Sequence, residues 1–462
     1  MSAQQRARDA GRAFVAERLV RPIQLFVQTE ASGGILLLAA AVVAISWANS
    51  PWDDAYHDLW HARFALDANL FTVDEDLLHL VNDGLMAIFF FVVGLEIKRE
   101  VLQGELASPR RAALPVAAAL GGMIVPALIY TAFNAGGDGA HGWGIPMATD
   151  IAFSLGALAL LGRRVPFALK VFLLALAIVD DLGAIAVIAL FYTDDISFEA
   201  LAWAAVMLAV IVGARRSGIR STDVYVALGV LLWFAVLKSG IHATIAGVAL
   251  AMLTPAQPLF SRREFERSSA QLLSAYRAAL EAGDEEAQQA ILGDFERLAS
   301  GTESPLDRLE RVLHPWVSYL IVPIFALANA GVAVSGDSLR DAAQSPVTAG
   351  VAIGLVVGKP VGIMLFAWLA VRLGFARLPD NAGFAQLLGV GMLAGIGFTV
   401  SLFITNLAFS SETLVADAKM GILGGSLVAG VIALAYLWFA PGVRPGEERT
   451  AGMAIEGDMA GR

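Results

Sequence analysis

The chain has 462 residues, of which 57% are hydrophobic and 16% charged, with a net charge of −10 and no cysteine. Its mean hydropathy of +0.67 excludes a soluble globular domain and indicates an all-α polytopic membrane protein. The missing cysteines exclude disulfides and thiolate chemistry, the acidic balance gives no basis for nucleic-acid binding, and six histidines without metal-type spacing argue against a metalloenzyme.

Residues 1–30 are polar, with Arg12, Arg18 and Arg21 interleaved with Phe14, Val15, Leu19 and Val20. We expect an amphipathic cytoplasmic lead-in, since a cleavable signal peptide would place its apolar core after a short basic stretch. About twelve transmembrane spans follow, at 33–48, 79–97, 112–134, 143–162, 167–192, 199–214, 222–237, 239–253, 316–334, 347–371, 383–409 and 414–439. The domain plan is therefore spans one to eight within 31–255, a charged cytoplasmic insert at 256–312, spans nine to twelve within 313–440, and a Gly-rich acidic tail at 441–462, which we expect to be disordered.

Residues 49–78 read as a long external loop, whose FALDANLFTVDE (64–75) predicts a hairpin with an Asn-containing turn. In the insert, FERSSAQLLSAYRAAL and EEAQQAILGDFERL are patterned as amphipathic helices, and a solvated spacer is favoured over a regulatory domain. The connecting segments alternate in charge. One set carries Lys98, Arg99, Arg110 and Arg111, then Arg163 and Arg164, then Arg215, Arg216 and Arg220, then Arg372 and Arg377. The other carries Asp53, Asp54 and Asp58, then Asp138, then Asp194 and Asp195, then Asp337, then Glu412. The positive-inside rule makes the first set cytoplasmic, and an even number of spans puts both termini there too.

Four ionisable residues lie at lipid depth. Asp180 and Asp181 fall near the middle of the apolar run 167–192, Asp150 lies in MATDIAFSLG, and Lys359 in VVGKPVGI. A charge at the bilayer centre costs roughly 2.5–3.5 kcal/mol or more, so such residues mark a functional site by default. Pro146 and two glycines interrupt span four just before Asp150; Gly395 and Gly397 interrupt span eleven beside Thr399. Broken helices survive at membrane depth where neighbours or a cavity satisfy the freed backbone. One in each half of the chain is the pointer to an inverted-repeat transporter, with spans three to five pairing with ten to twelve and the broken spans four and eleven crossing at the site. Adjacent helical residues differ by about 100° in direction, so one of Asp180 and Asp181 can meet a cation donor, for which Lys359 is on offer, while the other faces a cavity with Asp150. The excess of acids over the one lysine suits a small cation. Without it, repulsion and lost solvation favour protonation, so sodium and protons compete for the site. A purely structural salt bridge, such as Asp180 with Lys359, is the reading against transport.

The stretch ATDIAFSLGALALLGRRVPFALKVFLLALAIVDDLGAIAVIALFYT resembles the core of NhaA-type Na⁺/H⁺ antiporters, as do GLEIKRE, KSGIHATIAG, LHPWVSYLIVPIFALANAG, GLVVGKPVGI and GIGFTVSLF, in order from about residue 20 to 440. The resemblance implies a secondary transporter of the bacterial inner membrane, not an enzyme, with no cofactor beyond the transported Na⁺ or Li⁺ and H⁺. It implies that Asp150 and Asp181, with Thr149 nearby, hold the ion. It further implies that Asp180 pairs with Lys359, that both take part in proton exchange, and that one ion exchanges for more than one proton, which is electrogenic. It also implies pH regulation, with Glu96, Arg99 and Glu100 of GLEIKRE and Glu310 before span nine as the response cluster; ordinary juxtamembrane charge is the plainer account. His242 is a further candidate because imidazole titrates near neutral pH. The insert immediately before Glu310 departs from the simplest family pattern and bears on the pH set-point. The external hairpin resembles the family's dimer contact, so a homodimer is expected.

Two other readings compete. A sodium-coupled symporter for an organic solute needs a larger cavity with specificity groups, and no such cluster accompanies the acids. An intramembrane aspartyl protease has no use for Lys359, the broken helices or adjacent aspartates.

Overall fold

The computed structural model describes residues 21–68, 71–193, 197–219, 221–379 and 382–439. It is mostly helical (82%), as a bilayer demands, because a helix satisfies its N–H and C=O groups within one segment. Helix α1 (Arg21–Ala48) turns through 117° into the short α2 (Asp53–Trp60). Strands β1 (Arg63–Ala68) and β2 (Phe71–Asp76) pair antiparallel, from Arg63 opposite Asp76 to Ala68 opposite Phe71. This is the expected hairpin; its turn, Asn69 and Leu70, lies outside the described residues.

Helices α3 (Leu77–Gln103) and α4 (Pro109–Asn134) follow, then a 3₁₀ segment, Asp138–Met147, which leads into α5 (Ile151–Leu160) and α6 (Phe167–Phe191). Next come α7 (Phe198–Arg216), α8 (Thr222–Leu237) and α9 (Thr244–Leu253). The insert supplies α10 (Arg262–Ala282), α11 (Glu285–Gly301) and the start of α12 (Pro305–Asn329). The chain ends with α13 (Gly336–Gln344), α14 (Pro346–Arg372), α15 (Phe384–Leu393), α16 (Phe398–Ala408) and α17 (Glu412–Phe439).

Among the described residues, seven helices are long and apolar enough to cross a membrane, or up to ten if each bent pair is one span. The sequence counted about twelve. Helices α8 and α9, counted there as spans seven and eight, have 16 and 10 residues, short of the roughly 20 that the hydrocarbon asks for. Helix α1 is described from Arg21 onward, so the end of the expected lead-in is helical and continuous with the first span. Residues 1–20 of that lead-in and the tail 441–462 lie outside the described residues.

The chain divides into two compact units. The first comprises the described residues up to Met86, Glu100–Tyr192, and those from Pro315 onward. Here α4 lies along α14 at near backbone contact. A Cβ on Gly362 would stand 2.0 Å from the Gly121 carbonyl oxygen, and one on Gly121 2.1 Å from that of Gly362. Small residues let transmembrane helices approach this closely, and dispersion then holds them where hydrophobicity cannot. Helix α14 contains a π turn at Gly354–Gly358, directly before Lys359. Helix α17 packs on α14 as well, and the Thr348 hydroxyl donates to the Asp417 carbonyl at 2.8 Å.

The second unit comprises Ala87–Arg99 and Thr193–His314. Its apolar core gathers Phe91 and Leu95 with Ile211, Leu232, Leu250 and Leu306. Lys98 donates to the carbonyls of Met252 (2.7 Å) and Thr254, closing the C-terminal end of α9. Ser261 and Glu264 form a capping box at the start of α10, and Gly283, at φ 68°, ends it.

Candidate functional site

Two interruptions meet in the first unit. The chain bends by 44° between Asp138–Met147 and α5, and by 51° between α15 and α16. Each break frees backbone groups, and each break satisfies the other. The Asp150 N–H donates to the Ile396 carbonyl at 2.7 Å. The Thr149 hydroxyl donates to the Ala394 carbonyl at 2.8 Å. Ser154 donates to the Leu393 carbonyl at 2.9 Å, and Ser401 to the Ile145 carbonyl at 2.8 Å. On the far side of the second break, Ser426 of α17 accepts the N–H groups of Gly397 and Phe398, both at 3.3 Å. A Cβ on Gly395 would stand 2.5 Å from the Leu355 carbonyl oxygen and one on Gly397 3.1 Å from that of Ala148, so the two glycines are where the segments close on their neighbours.

Asp150 caps α5. Its Oδ1 accepts the Phe153 N–H at 2.9 Å, which satisfies one of the orphan donors of that helix end. Its Oδ2 accepts from Thr399 twice, from the hydroxyl at 2.6 Å and the N–H at 3.1 Å. Asp150 thus lies at the starts of two half-helices, α5 and α16, and helix N-termini favour negative charge.

Asp180 and Asp181 lie on α6, 1% and 2% exposed, in line with the Lys359 side chain, which is fully buried. Lys359 donates to Asp180 Oδ2 at 2.6 Å and to the Met147 carbonyl. The α6 helix therefore gives Asp180 to the lysine. Asp181, about 100° around the helix, takes no part in that bond. Lys359 connects α6 to α14 and, through Met147, to the end of the 3₁₀ segment that precedes Asp150. Every expected residue of this centre, Thr149, Asp150, Asp180, Asp181, Lys359 and Thr399, is buried.

In the second unit Arg99 pairs with Glu310, and Glu96 faces His314 across 3.8 Å. Glu96 and Glu310 are each 5% exposed. Glu100, in the first unit, turns back along its own chain, where Oε2 accepts the Glu105 N–H at 3.0 Å. His242 stands before α9, with its Nε2 buried and unpartnered and no bond to the Arg99–Glu310 or Glu96–His314 pairs among the described residues. His314 was not singled out from the sequence, nor were the serines 154, 401 and 426. Serines beside helix breaks were the available signal. Also missed was a chain of three amides, in which Asn406 donates to Asn329 (2.6 Å) and Asn329 to Asn82 (2.9 Å).

Among the described residues no three His, Cys, Asp or Glu side chains converge as a resident metal site would need. Around Asp150 the two breaks gather one carboxylate, two threonine hydroxyls and backbone carbonyls, oxygen donors of the kind a small hard cation takes.

Comparison with known proteins adds the family. The sequence model of the family described as Na⁺/H⁺ antiporter 1 matches residues 24–437. The chain is 50% identical over 419 residues to a protein from Oleidesulfovibrio alaskensis named Na(+)/H(+) antiporter NhaA, covering 90% of this chain and 93% of the relative. A Sorangium cellulosum protein named Na(+)/H(+) antiporter NhaA 2 is 47% identical over 424 residues, 91% of this chain and 90% of its own. An Escherichia coli protein named Na(+)/H(+) antiporter NhaA is 47% identical over 430 residues, 92% of this chain and 100% of its own.

Proposed function

The chain belongs to the Na⁺/H⁺ antiporter 1 family, and on that premise we propose that it is a secondary transporter that exports one sodium or lithium ion in exchange for a larger number of protons. The observation that carries this reading is the arrangement of Asp150, Asp180, Asp181 and Lys359. Asp180 and Lys359 bond at 2.6 Å and together sum to zero charge. Asp150 and Asp181 add two carboxylates, each 2% exposed, and carboxylates shut from solvent are groups on which a cation or a proton can be held. A sodium ion held by these two carboxylates, with Thr149 beside them, removes one of the two charges. Two protons remove both. The loads exclude each other, because each occupies the carboxylate oxygens the other needs. One sodium for two protons moves one net charge per cycle, worth about 2.3 kcal/mol per 100 mV, so the exchange is driven by membrane potential as well as by the proton gradient.

Access alternates around this midplane centre by movement of the broken segments. Glu96, Arg99, Glu100, His242 and Glu310, joined by His314, tune the response to pH from the cytoplasmic side. The protein sits in the bacterial inner membrane with both termini in the cytoplasm, and the β1–β2 hairpin serves as the contact of a homodimer.

Everted vesicles test the assignment. Sodium should dequench a pH-sensitive dye without any organic solute, and Asp150→Asn and Asp181→Asn should abolish the signal at matched expression. Normal exchange by either variant would overturn the site, and a requirement for an organic co-solute would favour symport.

A further inference from the structure

A second feature of the first unit lies behind the two breaks. Helices α1, α5 and α17 enclose an apolar cleft of about 610 Å³, within the 300–1,000 Å³ range usual for ligand sites. Its outer walls carry Ile35, Leu160 and Leu427, which are 65%, 70% and 67% exposed. These helices belong to membrane-crossing segments, so the medium at the mouth is hydrocarbon.

The inner wall is made of the residues that hold Asp150. Phe153, whose N–H donates to Asp150, and Ile396, whose carbonyl accepts from it, both line the cleft. So does Ser426, the acceptor for Gly397 and Phe398. Phe153 meets Phe398 edge-on, with ring centroids 5.6 Å apart.

One charge precedes Met420, a residue of the cleft wall on α17, without itself lining the cavity. Lys419 lies on the same face of α17 as Leu423, Ser426 and Gly430, at spacings of four, seven and eleven residues, and all three line the cavity. It stands seven residues, roughly 10 Å, from the Glu412 end of that helix. A lysine stem can run along apolar surface and deliver its ammonium to the headgroup layer from that depth. Lys419 is half-buried, and no ion pair or hydrogen bond is formed by it among the described residues.

We propose that this cleft holds an acyl chain of an anionic phospholipid from the surrounding bilayer, with the lipid phosphate at Lys419, and that the bound lipid braces the breaks carrying Asp150 and Thr399. The proposal rests on the reading that these breaks hold the transported ion. The cleft fixes the apolar half of the ligand and the unpaired lysine its charge. A zwitterionic lipid would fill the groove equally well but gain less from Lys419.

The full chain, reconstituted in mixed phosphatidylcholine–phosphatidylglycerol vesicles and then released, is assayed by native mass spectrometry for retained lipid. Lys419→Gln should retain about fivefold less phosphatidylglycerol than the parent, the effect of one basic side chain at an anionic surface, and Lys419→Arg should retain as much. Gly424→Phe fills the cleft from a position where a Cβ meets nothing within 4 Å, and should lower retention of both lipids. Retention by Lys419→Gln equal to the parent, or by Gly424→Phe equal to the parent, overturns the proposal. A shift in the monomer–dimer ratio of Gly424→Phe with lipid unchanged also overturns it, since a second copy would then cover the cleft. Apparent sodium affinity should fall in phosphatidylcholine alone; an unchanged affinity overturns the bracing role. Lipid retention needs no transport. Lysine-dependent retention by a chain that does not exchange sodium would sink the antiport reading and leave the lipid site, and the converse result would do the reverse.

Discussion

The ammonium of Lys359 and the carboxylate of Asp180 bond at 2.6 Å with both side chains entirely shut from solvent. Breaking such a pair from one side costs about 3–5 kcal/mol, because it strands a buried charge. Lys359→Gln should therefore lower the thermal midpoint of the purified protein, and adding Asp180→Asn to it should regain most of the loss. Thermal unfolding of the single and double variants checks this, and purely additive losses would mean the two do not act as a pair.

Thr399→Val keeps the shape of the side chain but removes the hydroxyl that donates to Asp150 at 2.6 Å, leaving the N–H donor at 3.1 Å. A hydrogen bond to a charged group contributes about 1.5–3 kcal/mol, so the sodium KM of exchange should change by about tenfold or more. Kinetics at fixed pH decide, and an unchanged KM would remove Thr399 from the support of Asp150.

Gly362→Ala drives a methyl onto the Gly121 carbonyl, which belongs to backbone and cannot swing aside. The cost should reach or exceed the roughly 1–3 kcal/mol of ordinary overpacking, seen as a lower melting temperature or loss of folded protein. Gly424→Ala, on a helix face with open space, is the matched control and should melt like the parent.

Arg99→Ala leaves Glu310, 5% exposed, without its guanidinium partner. Removing positive charge beside a buried carboxylate favours its uncharged form. The pH profile of exchange should move to the alkaline side while its maximal rate stays near that of the parent. Dye dequenching measured across pH reads this directly, and a rate lowered equally at every pH would mean the pair is structural alone.

Much of this arrangement can be read along the chain. The apolar runs announce a bilayer protein, Pro146 and the glycines at 395 and 397 mark the two breaks, and FALDANLFTVDE marks the hairpin. Each of these signals is local, because hydropathy, helix interruption and turn chemistry act over a few residues. Spans seven and eight were less legible, since an apolar run sets a limit on helix length and α9 uses only ten residues of its run.

The sequence by itself determined that three acids and a lysine would be buried at lipid depth, for they sit inside runs that admit no other location. Only the tertiary structure decided which acid takes the lysine, that Thr149 and Asp150 bond to the opposite break, and that Ser426 holds that break from behind. Those partners are 28 to 249 residues apart, and their pairing depends on how closely the helices pack at glycines such as Gly121 and Gly362. Close packing selects among partners that composition leaves equivalent, because hydrogen bonds and ion pairs form over distances of about 3 Å, far finer than any pattern along the chain resolves.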